Sequence, residues 1–240
     1  MKFNFHELAK FGTTAIVLFC VIFAGMNFPA FSKKVNFMFG ESSLRSALKP
    51  EIEITPDSSK FVAKKLIATP SPEIKIEIGL PKLPSEIAPP DNRIIISRLG
   101  IHAPIKLTEN VDLKKDNWNA IEDQVQNALH DGVVRFPGTA EPGKYGNAFL
   151  VGHSSYYPFL PGKYKDIFAL LPEIELGDEI EIWQNQKKFT FRVSEKKEVK
   201  PNNIDVLRQT NDQRITLMTC TPLGTTLRRL IVTAKLIEGA

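Results

Sequence analysis

The chain has 240 residues, of which 42% are hydrophobic and 24% are charged, and its formal net charge at pH 7 is +4. This length and apolar content are enough for one or two globular domains with a sizeable core. The small positive charge is spread along the chain and forms no basic block interleaved with aromatic residues, which argues against a nucleic-acid-binding protein.

The first predicted element is an uncharged apolar segment from Phe11 to Phe31. A helix of about 20 residues spans the hydrocarbon core of a bilayer. The alternative is a cleaved signal peptide, but the segment lacks the expected small-x-small cleavage site. We therefore predict a retained transmembrane anchor over residues 11–31, preceded by a tail of residues 1–10. Lysines flank the segment on both sides, so the positive-inside rule does not decide its orientation.

A proline-rich segment follows, over residues 32–91. It holds nearly half of the chain's 17 prolines, interleaved with Lys, Glu and Ser. This composition predicts a semi-rigid extended stalk, which at about 3.1 Å per residue could hold a domain on the order of 150 Å from the membrane. A disordered linker of no fixed reach is the alternative.

From residue 92 onward the pattern changes to short apolar runs bounded by turn residues, which is typical of β-strands. Seven strands are predicted: Arg93–Arg98, Ile101–Leu107, Ala148–His153, Glu179–Gln184, Lys188–Val193, Ile215–Cys220 and Leu230–Ile237. Asn185-Gln186 indicates a tight hairpin, and short helices are predicted over Trp118–Leu129 and Asp166–Leu171. Many short strands with few helices favour a closed or nearly closed β-barrel, because closure removes exposed strand edges. Residues 92–240 are thus predicted to form one mainly β domain.

The two cysteines are not expected to form a disulfide. Cys20 lies in the apolar N-terminal segment, whereas Cys220 ends an apolar run of the β domain. An unpaired thiol such as Cys220 is either a small buried hydrophobe or a reactive group. The four histidines and two cysteines show no zinc-type spacing, so we predict no metal and no other cofactor.

Three residues at predicted strand ends have the chemistry of a thiol nucleophile site. Cys220 and His153 each close an apolar run, and Arg229 opens another. A thiol attacks as the thiolate, and a neighbouring imidazole can take its proton and later give one to a leaving amine. An arginine stays protonated, so its useful role is to donate hydrogen bonds to an oxyanion or to a substrate backbone.

The sequences around these residues resemble the sortases, cysteine transpeptidases that attach proteins to bacterial surfaces. Thr216-Leu-Met-Thr-Cys220 fits the sortase signature Thr-Leu-x-Thr-Cys, and Arg229 heads the next strand, where the family carries its arginine. The motifs from Phe136 to Ser154 resemble the family's approach to its histidine. The Thr-Pro-x-Gly that follows the cysteine looks like classes D or E. The resemblance covers roughly Arg93–Ile237.

This resemblance implies a sortase-like β-barrel of about eight strands and a membrane protein with its N-terminus inside and its catalytic domain outside the cytoplasm. It assigns Cys220 as the nucleophile, His153 as the acid/base and Arg229 as the group that orients the oxyanion or the substrate.

Three neighbours are further candidates for substrate binding: Thr219, Thr221 and Arg228. Adjacent residues of a strand face opposite sides, so only one residue of the arginine pair should enter the cleft, and the spacing favours Arg229. The segment Glu195–Arg214 is predicted to be a long loop that forms a wall of the substrate groove.

The resemblance also implies a reaction and its partners. Cys220 would cleave an LPxTG-like sorting signal of a surface protein through a thioester, and an amine on a peptidoglycan precursor or a pilin lysine would then take the acyl group. Two alternatives stay open: another thiol hydrolase, and a non-enzymatic anchored β-domain that binds surface polymers. The Ser-His-Gly-Cys signature of an L,D-transpeptidase is absent.

Overall fold

The structure is a computed structural model that describes residues 5–47, 88–108 and 118–239. Most of the predicted stalk, residues 48–87, lies outside these ranges, so the extended conformation expected there stays a prediction.

Eight strands close into a barrel in the spatial order β1-β2-β3-β4-β7-β8-β6-β5. Their bounds are β1 Arg93–Ile96, β2 Ile101–Leu107, β3 Val133–Arg135, β4 Gly146–Val151, β5 Glu179–Gln184, β6 Lys187–Val199, β7 Gln213–Thr221 and β8 Arg228–Gly239. Two neighbouring pairs, β2–β3 and β4–β7, are parallel, and the others are antiparallel. The predicted closed, mainly β fold is confirmed.

The barrel interior is filled by apolar side chains from alternate strand positions. Ile182, Phe191, Ile215 and Val232 are fully buried there, each from a different strand. Period-two alternation places such residues on one face of each strand. Burying each of them contributes about 1.5–3 kcal/mol before the entropy of ordering is subtracted, so this interior is the main stabilising feature of the domain.

Three helices accompany the barrel: α1 Phe5–Met26, α2 Phe28–Ala47 and α3 Trp118–Ala128. The predicted helix over Trp118–Leu129 is confirmed to within one residue as α3. The helix predicted over Asp166–Leu171 is instead a series of turns that leads into a 3₁₀ turn at Leu171–Glu173.

Two strand predictions were incomplete. The three-residue strand β3 was not predicted, because so short a run carries no visible alternation. The predicted loop Glu195–Arg214 is largely strand at both ends, since β6 continues to Val199 along β8 and β7 begins at Gln213. A loop of residues 200–212 remains between them.

The predicted single helix over residues 11–31 is wrong in detail, because two helices meet at Asn27 with a bend of 73°. Pro29 explains the break: it has no amide hydrogen to continue α1, but it is tolerated in the first turn of α2. Residues 32–47, predicted as extended stalk, belong to α2. Within the described ranges no single helix has the length and apolarity of a membrane span, whereas Lys10–Met26 and Phe28–Gly40 together satisfy that test.

Candidate active site

The parallel pairing of β4 with β7 brings His153 next to Cys220. Val151, the last residue of β4, is the register partner of Met218, and His153 and Cys220 each follow this pair by two residues. The Gly152 amide donates a hydrogen bond to the Met218 carbonyl (3.1 Å), and the Thr219 hydroxyl donates one to the Gly152 carbonyl (2.8 Å). Position 153 therefore lies beside position 220 at the same end of the barrel.

The antiparallel pairing of β7 with β8 supplies the third group. Cys220 is the direct register partner of Arg229, which places the two Cα atoms about 5 Å apart. The Arg229 guanidinium donates a hydrogen bond to the Thr226 carbonyl (2.9 Å), so the β7–β8 loop holds it in place. Three neighbouring strands thus deliver the thiol, the imidazole and the guanidinium to one barrel end.

Arg228 occupies the opposite face of β8. Its side chain is exposed and lies 3.4 Å from a carboxylate oxygen of Glu198. Arg229 is half-buried and lines the cavity described next, as the alternation of strand residues predicted.

A cavity of about 270 Å³ opens over these three residues. One side is made by Cys220, His153 and Arg229, and the other is largely the apolar face of α3. Its apolar lining consists of Trp118, Ile121, Val125, Leu129, Phe136, Val151 and Met218. The α3 wall was not assigned to the site from the sequence, although the amphipathic pattern of this helix was visible. From the loop predicted to form the wall, Pro201 lines the cavity.

Burial keeps both reactive groups neutral near pH 7. It raises the pKa of the Cys220 thiol, and the nearby Arg229 guanidinium partly opposes this effect. Burial also lowers the pKa of His153 to about 4, assisted by the positive charge that His130 can carry. The resting pair is therefore a thiol and a neutral imidazole, and the imidazole can accept a proton.

Tyr156 fixes the plane of the His153 ring. The two rings stack with centroids 4.5 Å apart and an interplanar angle of 21°. His130 contacts the same tyrosine, with ring centroids 5.6 Å apart. The Nε2 atom of His153 is buried and has no hydrogen-bond partner among residues 5–47, 88–108 and 118–239. Sequence reasoning missed this aromatic support, although Tyr156 follows the histidine by three residues.

Position 152, just before the histidine, requires a glycine because the Phe168 ring packs closely against it. A Cβ atom at this position would lie 2.5 Å from the Phe168 ring. The Phe168 amide also donates a hydrogen bond to the His153 carbonyl (2.9 Å). The fully buried Phe168 therefore supports the backbone from which His153 projects.

The two threonine candidates are buried. Thr219 is held through the hydrogen bond to Gly152, and Thr221 lies with its hydroxyl 3.4 Å from a Glu198 carboxylate oxygen. A role for either in substrate binding remains a prediction. In the part of the chain that the structure describes, no group of three or more His, Cys, Asp or Glu residues is placed to hold a metal ion.

Comparison with known proteins decides the family. The family model described as the sortase domain matches residues 94–237, which is more than half of the chain. The chain belongs to the sortase family. The predicted family is therefore confirmed over residues 94–237, a range that includes Cys220, His153 and Arg229.

Individual sortases are similar to this chain over part of its length. "Putative sortase YwpE" of Bacillus subtilis (strain 168) is 32% identical over 95 residues, which are 39% of this chain and 86% of that protein. The structure of a sortase D5 transpeptidase from Clostridium perfringens is 27% identical, with 62% of this chain and 79% of that one covered and a TM-score of 0.46. Sortase C-1 from Actinomyces oris is 25% identical, with 61% and 73% covered and a TM-score of 0.49.

Proposed function

We propose that this sortase is a membrane-anchored cysteine transpeptidase that cleaves an LPxTG-like sorting signal and transfers the acyl group to an amine. The observation that carries the proposal is the register of β4, β7 and β8, which brings Cys220, His153 and Arg229 to one cavity.

The first half of the proposed reaction forms a thioester. The neutral imidazole of His153 takes the Cys220 proton as the sulfur attacks the scissile carbonyl carbon, and Arg229 donates hydrogen bonds to the oxyanion that develops. The C–N bond then breaks, and the protonated imidazole gives its proton to the leaving amine. This order of events suits two groups that are both neutral at rest, because the charged pair exists only during attack.

The second half of the proposed reaction transfers the acyl group. An incoming amine attacks the thioester carbonyl, a new C–N bond forms, and the C–S bond breaks. The amine proton passes through the His153 imidazole to the departing Cys220 sulfur, which restores the resting thiol. The amine would belong to a peptidoglycan precursor or to a pilin lysine.

The cavity beside α3 suits the donor peptide. Its wall is mostly apolar, with Glu122, Gln126 and Thr219 as polar members besides Cys220, His153 and Arg229, so it can take the apolar side chains of a sorting signal that precede the scissile bond. The main polar contact with the donor peptide would then come from Arg229.

The outer surface of α1 supports the proposed membrane anchor. Many of its large apolar residues are more than half exposed, whereas Phe23 and Met26 face the barrel; the exposed ones are Phe11, Ile16, Val17, Leu18, Phe19, Val21 and Ile22. A contiguous apolar surface of this kind marks contact with a membrane or a protein partner. We propose that α1 lies in the bilayer and that the barrel is outside the cytoplasm.

The two cysteines of the chain provide a matched test. The full chain in detergent micelles is incubated with peptides that carry LPxTG-like motifs, with and without hydroxylamine, and the products are identified by mass. We expect Cys220→Ala to abolish cleavage and the trapped acyl-enzyme, and Cys20→Ala to retain both.

Each other outcome assigns a different function. Equal activity of Cys220→Ala and the wild type would show that the proposal is wrong. Cleavage that depends on Cys220 but never yields an amine-transfer product would favour a thiol hydrolase. Peptide binding without turnover would favour a non-enzymatic surface-binding domain.

A further inference from the structure

The corner between α1 and α2 is docked on the barrel next to the active site. Lys33 forms an ion pair with Asp166 (2.8 Å), and Lys34 forms one with Glu173 (2.9 Å). Phe37 of α2 packs against the main barrel core and lies under the Arg98 guanidinium, 5.9 Å from the ring centroid. These contacts place Asn27, where the two helices meet, at the catalytic end.

The corner touches the loop that joins Cys220 to Arg229. A Cβ atom built on Gly224 of this loop would lie 2.8 Å from the Asn27 amide group and 2.9 Å from the Phe23 ring. The Asn27 side chain is itself oriented, because its Nδ2 atom donates a hydrogen bond to the Phe23 carbonyl (2.9 Å). The end of α1 and the catalytic loop are therefore in direct contact.

A second cavity, of about 560 Å³, lies between this corner and the barrel. The corner contributes Phe23, Met26 and Asn27 to its lining. The cavity adjoins the α3 cavity and shares five lining residues with it: Cys220, His153, Arg229, Glu122 and Gln126. The remaining lining is mostly hydroxyl-bearing, from Ser155, Tyr156, Tyr157, Thr225 and Thr226, together with Gly224. The thiol is thus bordered by two adjoining cavities, and the one at the corner is richer in hydroxyl groups.

A transpeptidase needs two approaches to its thioester. While the donor acyl group occupies the apolar α3 cavity, the second substrate must reach the carbonyl carbon from elsewhere. The cavity at the α1–α2 corner is the second approach, because it reaches Cys220 from the side of α1 and is large enough for an amine-bearing side chain or a short peptide. The Glu122 carboxylate, which lies between the two cavities, favours a cation near the thiol.

We propose that the cavity at the α1–α2 corner receives the acceptor amine, and that Phe23, Met26 and Asn27 are specificity-determining residues for the transfer step. This inference rests on the proposed transpeptidase function. The N-terminal helix is then a part of the active site in addition to being an anchor. The neutral imidazole of His153, which lines both cavities, is available to take the proton of the attacking amine.

The test measures how the thioester partitions between amine and water. The full chain in detergent micelles receives a saturating donor peptide and one of two acceptors, triglycine or the lysine side chain of Nα-acetyl-lysine amide. Asn27→Trp fills the corner cavity, and we expect it to lower the ratio of aminolysis to hydrolysis by about tenfold or more. The control Val17→Trp adds the same side chain to an exposed site of α1 and keeps the wild-type ratio.

A second pair of variants addresses the same cavity without a bulky residue. Gly224→Ala drives the catalytic loop and the corner apart, whereas Gly177→Ala places a methyl group at another positive-φ glycine with no atom within 4 Å. We expect the ratio to fall for Gly224→Ala and to stay at the wild-type value for Gly177→Ala.

The outcomes separate this inference from the function on which it rests. A wild-type ratio in both Asn27→Trp and Gly224→Ala would overturn it, as would an equal loss of aminolysis and hydrolysis, which indicates a structural effect. A wild-type chain that neither hydrolyses nor transfers the donor would overturn the transpeptidase proposal, and this inference with it.

Discussion

The mouth of the candidate active site, which is the opening above Cys220, His153 and Arg229, has two walls that are held in place in different ways. The α3 wall is held by burial, with Ile121, Val125 and Leu129 almost completely inaccessible to solvent. The corner between α1 and α2 is held by the packing of the partly buried Phe37 on the barrel and by the ion pairs of Lys33 and Lys34, whose side chains remain partly exposed. Burial of one such apolar side chain is worth about 1.5–3 kcal/mol, whereas exposed ion pairs are worth about 0–1 kcal/mol each.

The mouth therefore has one permanent wall, made by α3, and one adjustable wall, made by the corner between α1 and α2. The α3 wall cannot move without exposing part of the core that it shares with β4 and β8. The corner depends on one partly buried aromatic side chain and on ion pairs open to solvent, so it should separate from the barrel at a lower cost in free energy than α3. We infer that the donor side of the mouth is preformed and that the opposite side adapts to what enters it.

The largest expected effect lies at the strand ends between the walls. Arg229→Lys should lower kcat/KM for the donor peptide by about 10²–10³-fold, because a lysine cannot reproduce the planar set of donors aimed at an oxyanion. Arg228→Lys, on the opposite face of β8, should change it by less than about threefold. Peptide cleavage kinetics of the two variants make the comparison, and equal losses would contradict the assignment of Arg229.

The stability of the permanent wall can be tested by truncating Ile121, one of the buried residues of α3. Ile121→Ala should lower the free energy of unfolding by about 2–4 kcal/mol, since it removes buried methyl groups and leaves a cavity. Trp118→Ala, at an exposed position of the same helix, should change it by less than about 0.5 kcal/mol. Urea unfolding followed by fluorescence or circular dichroism measures both. A small effect of Ile121→Ala would mean that α3 is not a fixed wall.

The buried histidine between the walls predicts a pH dependence of stability. Above pH 6.5 the His153 ring is neutral in the folded and the unfolded chain. As the pH falls toward 4, the unfolded chain binds a proton at this ring and the folded chain does not, so stability decreases. The loss should be on the order of 2 kcal/mol, because some solvent still reaches the ring. His153→Gln should show a flatter profile between pH 6.5 and 4, and an unchanged slope would refute the lowered pKa.

The smallest expected effect concerns the adjustable wall. Replacing both Lys33 and Lys34 with alanine should speed amide hydrogen exchange in α2 by about fivefold, because the two ion pairs contribute about 1 kcal/mol together. Raising the salt concentration to about 1 M should have a similar effect on the wild type, since it screens exposed charges. Lys200→Ala, which changes an exposed lysine outside these pairs, is the control. Unchanged exchange would show that other contacts hold the corner.

The sequence allowed the reactive residues to be proposed, because they lie at the ends of recognisable apolar strands. Cys220, His153 and Arg229 each terminate or begin such a run, and the β4–β7 and β7–β8 registers bring those ends together. The register itself was not visible in the sequence, since parallel pairing of β4 with β7 joins distant segments.

The walls of the mouth were harder to predict. The apolar stripe of α3 indicated a buried face but not which part of the barrel would cover it. The contact of Asn27 with Gly224 joins opposite ends of the chain and leaves no periodic signal. The break before α2 did carry a signal, because Pro29 interrupts the apolar run, yet the absence of charge in that run favoured a single helix.

If α1 lies in the bilayer as proposed, the position of the bend at Asn27 determines how far the barrel lies from the membrane. Met26 and Asn27 line the corner cavity and also end α1, so an α1 embedded in lipid would hold the catalytic mouth at the headgroups. A long extended stalk would instead allow the barrel to reach positions far from the membrane. With the mouth at the headgroups, substrates would have to reach it at the boundary between lipid and water. This position favours donors and acceptors that are themselves attached to the membrane.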